Sequence, residues 1–386
     1  MQKRSLGVRF MAFKILYYSL TTCFSSFILA YLKSVRNVSD SRASLLLMLY
    51  TIGAFCGQFF FGRLCDMFRT HKKVFYLLSA LVLPVALGLY FAPVFGLICV
   101  LYPLFGFCQM PISVIADTWF LDSFPGNTGL YGKVLAAGAC AYAVLSVSYG
   151  KLLDSVGYGV MPWFFVGILL LMALVAWKIP DASSASIPHP AHTEKQGRLI
   201  TGPLALFLLS MLFTGVCGNT YSLLPVLMEH VNGNLTLLGL AMSSSGILQI
   251  PFMLLTGRMK CFPARLRVVC AGLIYFTMVL CFAFGNSPWY LIFGAGISGA
   301  AWGVMLPAYR ELVGELADPA YATTAQGLVD AIYLSLGSVV SSGFVSATSG
   351  ALGLRMPLVI ISCVQISAIV LLIFAHRRHG VKARTH

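Results

Sequence analysis

An all-α polytopic membrane protein, with twelve transmembrane helices in two six-helix pseudo-repeats, is the fold class that three observations predict. The composition is 59% hydrophobic and 10% charged over 386 residues, with a mean hydropathy of +0.86. An ordinary soluble domain carries about a quarter charged residues, and a disordered chain needs low hydrophobicity. Apolar windows of the length that a bilayer demands, about 20 residues, recur along the whole chain. Finally, landmark residues of the first half return in the second at one fixed shift.

Taken in order, the windows place spans near 11–32, 43–61, 74–92, 94–121, 131–152 and 160–178, and then near 200–228, 236–256, 266–285, 288–309, 325–347 and 356–375. Lys3, Arg4, Arg9 and Lys14 precede or open an apolar stretch of full spanning length, which reads as a retained first helix rather than a cleaved leader. The one long polar stretch, 179–199, is rich in Pro, Ser, Ala and His and reads as a cytoplasmic linker. It divides a six-helix bundle over 1–178 from a second over 200–386. The landmarks that recur at a shift of 195 are Gly62-Arg63 with Gly257-Arg258, Pro93 with Pro288, Gly132 with Gly327, and Met161-Pro162 with Met356-Pro357. Six is an even number of crossings, so the repeat keeps its orientation and implies halves related by an axis along the membrane normal. Two such bundles can enclose a cavity near the midplane and expose it alternately to each side.

The formal charge of +14 is a topology signal. With both ends in the cytoplasm, every Lys and Arg except Lys33, Arg36, Arg42, Lys151 and Arg355 falls on the inner side, as the positive-inside rule requires. The pattern argues against a nucleic-acid partner, and the expected location is a plasma (inner) membrane. The eleven Cys include no C-x-x-C pair and read as packing residues. Neither a metal-ligand set nor a nucleophile–base pair is visible. The expectations are therefore no enzyme, no cofactor and no metal, but a monomeric carrier of a small-molecule substrate.

After the second span comes Gly62-Arg63-Leu64-Cys65-Asp66-Met67-Phe68-Arg69-Thr70-His71-Lys72-Lys73. It resembles the loop motif of the major facilitator superfamily, Gly-x-Leu-x-Asp followed by clustered basic residues. The resemblance implies a cytoplasmic gate built on Gly62, Asp66, Arg69 and Lys72. Gly62 would let helix ends approach closely, and Asp66 would accept hydrogen bonds in a breakable latch. The superfamily usually has Gly where Arg69 stands, and in the second half Cys261 replaces the acid. Asp117, Tyr131-Gly132-Lys133, Gly138 and Tyr142, with Ala325-Gln326-Gly327-Leu328, are similar to the branch containing lactose permease, nucleoside–proton symporters and phenylpropionate permeases. In that branch the acid matching Asp117 binds the sugar, and the position matching Tyr142 stacks on its ring. The sugar-binding Arg falls here on Leu135, and the coupling His and Glu fall on Trp302 and Met305. Galactoside symport by that chemistry is therefore not expected.

Charge inside a membrane is costly, so an intramembrane ionisable group is a functional candidate by default. Asp117 in helix four and Asp330 in helix eleven lead, with Lys133 and Arg310 as their basic partners. Glu311, adjacent to Arg310, must point elsewhere and reads as a surface group. Among neutral groups Asn219 ranks highest, because an amide facing lipid would lose its hydrogen bonds. The function expected is proton-coupled uptake of a small polar or aromatic solute such as a sugar, nucleoside or aromatic acid. The alternatives are a proton antiporter expelling amphipathic compounds and a receptor-like relative that moves nothing.

Overall fold

The computed structural model describes residues 2–124, 128–181, 202–256, 262–317 and 322–382. Among these every regular element is helical, and twelve helices are long and apolar enough to cross a bilayer. They are α1 Ser5–Ser34, α2 Asp40–Cys65, α3 His71–Phe91, α4 Phe95–Ser123, α5 Leu130–Val156, α6 Tyr158–Trp177, α7 Gly202–His230, α8 Leu235–Met253, α9 Ala264–Phe284, α10 Pro288–Leu316, α11 Ala325–Leu352 and α12 Arg355–Ile373. Each coincides with an expected span; α1, α2, α5, α10 and α11 run longer by a turn or two, and the others agree in length within two residues. Pro84, Pro103, Pro111, Pro251 and Pro307 lie inside helices, which membrane helices tolerate because neighbours re-satisfy the freed backbone groups.

The chain forms two compact units, Met1–Val38 with Leu49–His189, and Ser39–Met48 with Pro190–His386. In the first, α1 packs on α5 and α6, and α3 on α4 and α6. In the second, α7 packs on α11 and α12, and α9 on α10 and α12. These are the same partnerships advanced by six helices, so the repeat seen in the landmarks is also a repeat of packing. It extends to the turns. Gly157 (φ 82°) precedes α6 and Gly353 (φ 68°) precedes α12, a left-handed conformation that glycine adopts without strain.

Close helix contact rests on glycines other than the motif's. In the first unit a Cβ on Gly53 or Gly57 would collide with the backbone carbonyls of Pro103 and Phe107 in α4. In the second unit Gly299 and Gly303 of α10 meet the carbonyls of Ser245 and Gln249 in α8 in the same way. Gly62, by contrast, has nothing within 4 Å of an added Cβ. The expectation of a tight approach there is corrected: the contacts lie two turns earlier, where the facing residues leave the backbone bare.

The second unit includes the first turns of α2. Ser41 Oγ donates to the Ser346 carbonyl, Ser346 Oγ donates back to the Ser41 carbonyl at 2.8 Å, and Asp40 pairs with His230 at 2.6 Å. The expected linker over 179–199 lies outside the described residues beyond its first three, which belong to the first unit's structure. Asp181 accepts from Thr70 Oγ1 at 2.5 Å and from the backbone N–H groups of His71 and Lys72, capping α3.

Candidate functional site: polar groups inside the two helical units

In the first unit, α1 and α4 bring Lys14 and Asp117 together at 2.6 Å, although 103 residues separate them. Lys14 also reaches Ser113 Oγ at 3.2 Å, one turn before Asp117. The Lys14 side chain is only 3% exposed and that of Asp117 28%, so the base lies deep and the acid sits at the open edge. The ammonium stands 5.6 Å from the Tyr17 ring centroid and 5.9 Å from that of Tyr18, within cation–π range. Tyr18 meets Tyr142 of α5 edge-on at 6.3 Å. Gly138 makes room for the group, because a Cβ there would lie 2.5 Å from the Tyr18 ring and 3.2 Å from Lys14 Cγ.

One helical turn further, residues Thr21–Ser25 form a π-helical segment, a departure that often marks functional sites. Gln109, fully buried, ties it in place: it accepts from Tyr50 OH at 2.8 Å and donates to Thr21 Oγ1 at 3.2 Å.

The partner expected for Asp117 was Lys133. That pairing is corrected: Lys133 is exposed on α5, and the ion pair is made by Lys14. The signal for Lys14 was present in the sequence, a lone cation flanked by Tyr17 and Tyr18 inside an apolar span.

In the second unit Asp330 stands immediately before a π-helical segment, Ala331–Leu336. Tyr309 OH donates to its Oδ1 at 2.5 Å, and Arg310 Nη2 lies 3.8 Å from Oδ2. Tyr309 is completely buried and was missed because one tyrosine among seventeen carries no distinguishing pattern. Gln326 Nε2 donates to the Arg310 carbonyl at 2.6 Å. Glu311 points away, as expected, and pairs with Arg267 of α9 at 2.5 Å.

Asn219 has a structural task. Its amide donates to Gly215 O at 2.8 Å and to Tyr333 O at 3.0 Å, fastening α7 to the π-helical turn of α11 where Gly215 lets the two backbones meet. Both amide hydrogens are used on carbonyls of the protein. Beside it Tyr333 stacks on Trp302 at 5.7 Å and donates to Tyr275 OH at 3.0 Å.

The loop motif is partly described. The side chain of Asp66 lies outside the described residues. Arg69 has φ 47°, and Thr70 N–H bonds to Cys65 O at 3.3 Å. This is the left-handed helix-ending turn that prefers glycine, formed here with arginine in the glycine's place. Lys72 Nζ caps α6, donating to the carbonyls of Trp177 at 2.7 Å and Ile179 at 3.0 Å. His71 Nε2 meets Asp122 Oδ2 at 2.7 Å. That α3–α4 pair is repeated by Arg267–Glu311 between α9 and α10, one acid and one base at corresponding helix ends.

Twelve spanning helices in two equivalent six-helix sets, with ionisable residues inside them, are the architecture of a membrane transporter. The chain belongs to the MFS_1 like family, whose model matches residues 8–356. It is a multi-pass membrane transporter of the major facilitator superfamily that moves a small molecule, and it is not an enzyme. It is 26% identical over 313 residues to the maltose permease of Geobacillus stearothermophilus, covering 80% of this chain and 79% of that one. Among solved structures, it resembles the nucleoside transporter NupG carrying a single substitution, with a TM-score of 0.80 at 12% identity over 96% of this chain and 99% of that one. A D-xylose–proton symporter superposes with a TM-score of 0.71 at 13% identity, over 96% and 97% of the two chains.

Proposed function

We propose that this protein is a proton-coupled symporter taking up a small polar, ring-containing solute such as a sugar, nucleoside or aromatic acid, by alternating access. The observation that carries the proposal is the Lys14–Asp117 ion pair, held inside a membrane-spanning unit and bordered by Tyr17, Tyr18 and Tyr142. The acid is 28% exposed beside a base at 3%, so solvent reaches the carboxylate while the ammonium stays buried.

The coupling follows from the cost of stranding a charge. Protonation of Asp117 removes the countercharge of Lys14 and leaves a buried ammonium with Ser113 alone, which is unfavourable. A solute hydroxyl or carboxylate that accepts from Lys14 restores the lost bonds, while the solute ring packs on Tyr18 and Tyr142. Proton and solute therefore favour each other's binding, which is the linkage that symport requires. Lys133, at the inner end of α5, adds a cation beside the path of an anionic solute. Asp330, held by Tyr309 and Arg310, is the second group able to carry a proton. The loop motif, with Asp66, opens and closes the cytoplasmic side. The protein works as a monomer in the plasma (inner) membrane, with both termini cytoplasmic. The relatives support the solute class: one is a maltose permease, one a nucleoside transporter and one a xylose–proton symporter.

The test is charge movement in proteoliposomes adsorbed on a solid support, challenged in turn with sugars, nucleosides and aromatic acids. Inward positive current for one class, lost in Asp117→Asn, is the expected result. Uptake that persists undiminished in Asp117→Asn, Asp330→Asn and the double variant would refute the coupling. Collapse of an imposed pH gradient on adding lipophilic cations, with no response to the three classes, would establish efflux instead.

A further inference from the structure

At one end of the second unit α7, α9 and α11 finish and α10 and α12 begin, and the helix ends leave a cavity of about 310 Å³. The inner part of its wall is apolar and buried, with Leu227, Phe282, Leu291, Leu354 and Leu358 each at most 8% exposed, while Leu352 at its edge is 50% exposed. Two cationic or potentially cationic groups, Arg355 and His230, also line it. His230 is already engaged by Asp40 at 2.6 Å. Arg355 donates to a neutral amide oxygen, Asn286 Oδ1, at 2.6 Å. Among the described residues it has no carboxylate partner.

The cavity is partly open to its surroundings, and the apolar part of its wall is a poor host for water. Five spans terminate around this one, so it lies at the level where the hydrocarbon core meets the headgroups. A ligand that suits it has an anion for the guanidinium and a hydrocarbon stem for the leucine wall. We propose that the cavity is a binding site for an anionic bilayer phospholipid, with its phosphate on Arg355 and the first part of an acyl chain against Leu227, Phe282 and Leu291. Electrostatic attraction alone would leave the leucine wall unexplained. A purely apolar occupant would leave the guanidinium at the cavity without an anion.

The full-length protein in a neutral maltoside detergent would be titrated with dioleoyl phosphatidylglycerol and, separately, with dioleoyl phosphatidylcholine. Retained lipid is read by native mass spectrometry and thermal midpoint by tryptophan fluorescence. The expected result is selective retention of phosphatidylglycerol, with affinity about tenfold weaker in Arg355→Gln, the loss of one charge-assisted hydrogen bond. Lys151→Gln, which removes an exposed cation of the first unit, should change nothing. Leu291→Phe, which adds volume inside the cavity, should weaken retention while leaving Arg355 in place. Equal retention of the two lipids, or equal losses in Arg355→Gln and Lys151→Gln, would overturn the site. Stabilisation by inorganic phosphate alone, equal to that by the lipid, would overturn the lipid as occupant in favour of a free anion.

Discussion

Asp117→Leu should destabilise the protein more than Lys14→Met, and the double variant should recover much of the loss. The asymmetry comes from depth. Lys14 is 3% exposed and Asp117 28%. Removing the acid leaves a buried ammonium with Ser113 Oγ as its remaining hydrogen-bond partner, which costs about 3–5 kcal/mol for a broken buried pair. Removing the base leaves a carboxylate that water already reaches, at about 1–2 kcal/mol. With both gone, two apolar side chains occupy the space and no charge is stranded, so the double variant should sit within about 1–2 kcal/mol of the parent. The apparent melting midpoints in detergent should therefore fall in the order parent, double variant and Lys14→Met together, then Asp117→Leu well below. A double variant that melts below both single variants would refute the pairing, since independent sites add. Solute uptake should vanish in all three.

Gly57→Ala should destabilise by about 1–3 kcal/mol through collision with the Phe107 carbonyl, whereas Gly62→Ala should stabilise by up to about 1 kcal/mol because only helix propensity changes; thermal melts of the two variants decide between the glycines. Arg69→Gly should raise stability by about 0.5–1 kcal/mol, since φ 47° disfavours any side chain, and a lowered midpoint would refute the left-handed turn. Gly138→Ala should raise KM for uptake by about tenfold or more while the protein still folds, because the new methyl displaces Tyr18 and the Lys14 stem; unchanged KM would detach those residues from the solute. Asn219→Leu should cost about 2–3 kcal/mol, as two carbonyls beside the π-helical turn lose their donor, and this is read as earlier melting without a change in solute preference.

The transmembrane frame was legible because hydrocarbon imposes one requirement on every span, a run of apolar residues of fixed length, and that requirement is local. The acid at Asp117 was legible for the same reason, as an exception to the run. Its partner was not. Which cation reaches Asp117 depends on how α1 crosses α4, and nothing in the sequence between them, 103 positions apart, encodes that crossing in a pattern the eye can follow. Proximity in sequence suggests Lys133, but that residue stands exposed on α5 and Lys14 makes the pair. Gly62 misled in another way. It reads as a contact glycine by its place in the motif, while the contacts belong to Gly53 and Gly57, whose helical spacing suits close approach. Arg69 is the reverse case, a residue foreign to its position in the motif that nonetheless adopts the turn expected of glycine. Tyr309 carried no signal at all until α10 and α11 set it against Asp330.

The cap that Asp181 places on α3 has a consequence for cutting the chain. Coexpressed half-molecules divided at the apparent end of α6, after Lys178, would strip the first fragment of the carbonyl of Ile179 that Lys72 uses, the carbonyl of Pro180 that Trp119 Nε1 reaches at 3.0 Å, and the carboxylate that closes the start of α3. Three residues beyond the last membrane turn thus act as a clasp on the helix pair α3–α4. A fragment ending after Asp181 keeps that clasp, and one ending three residues earlier begins life with α3 frayed.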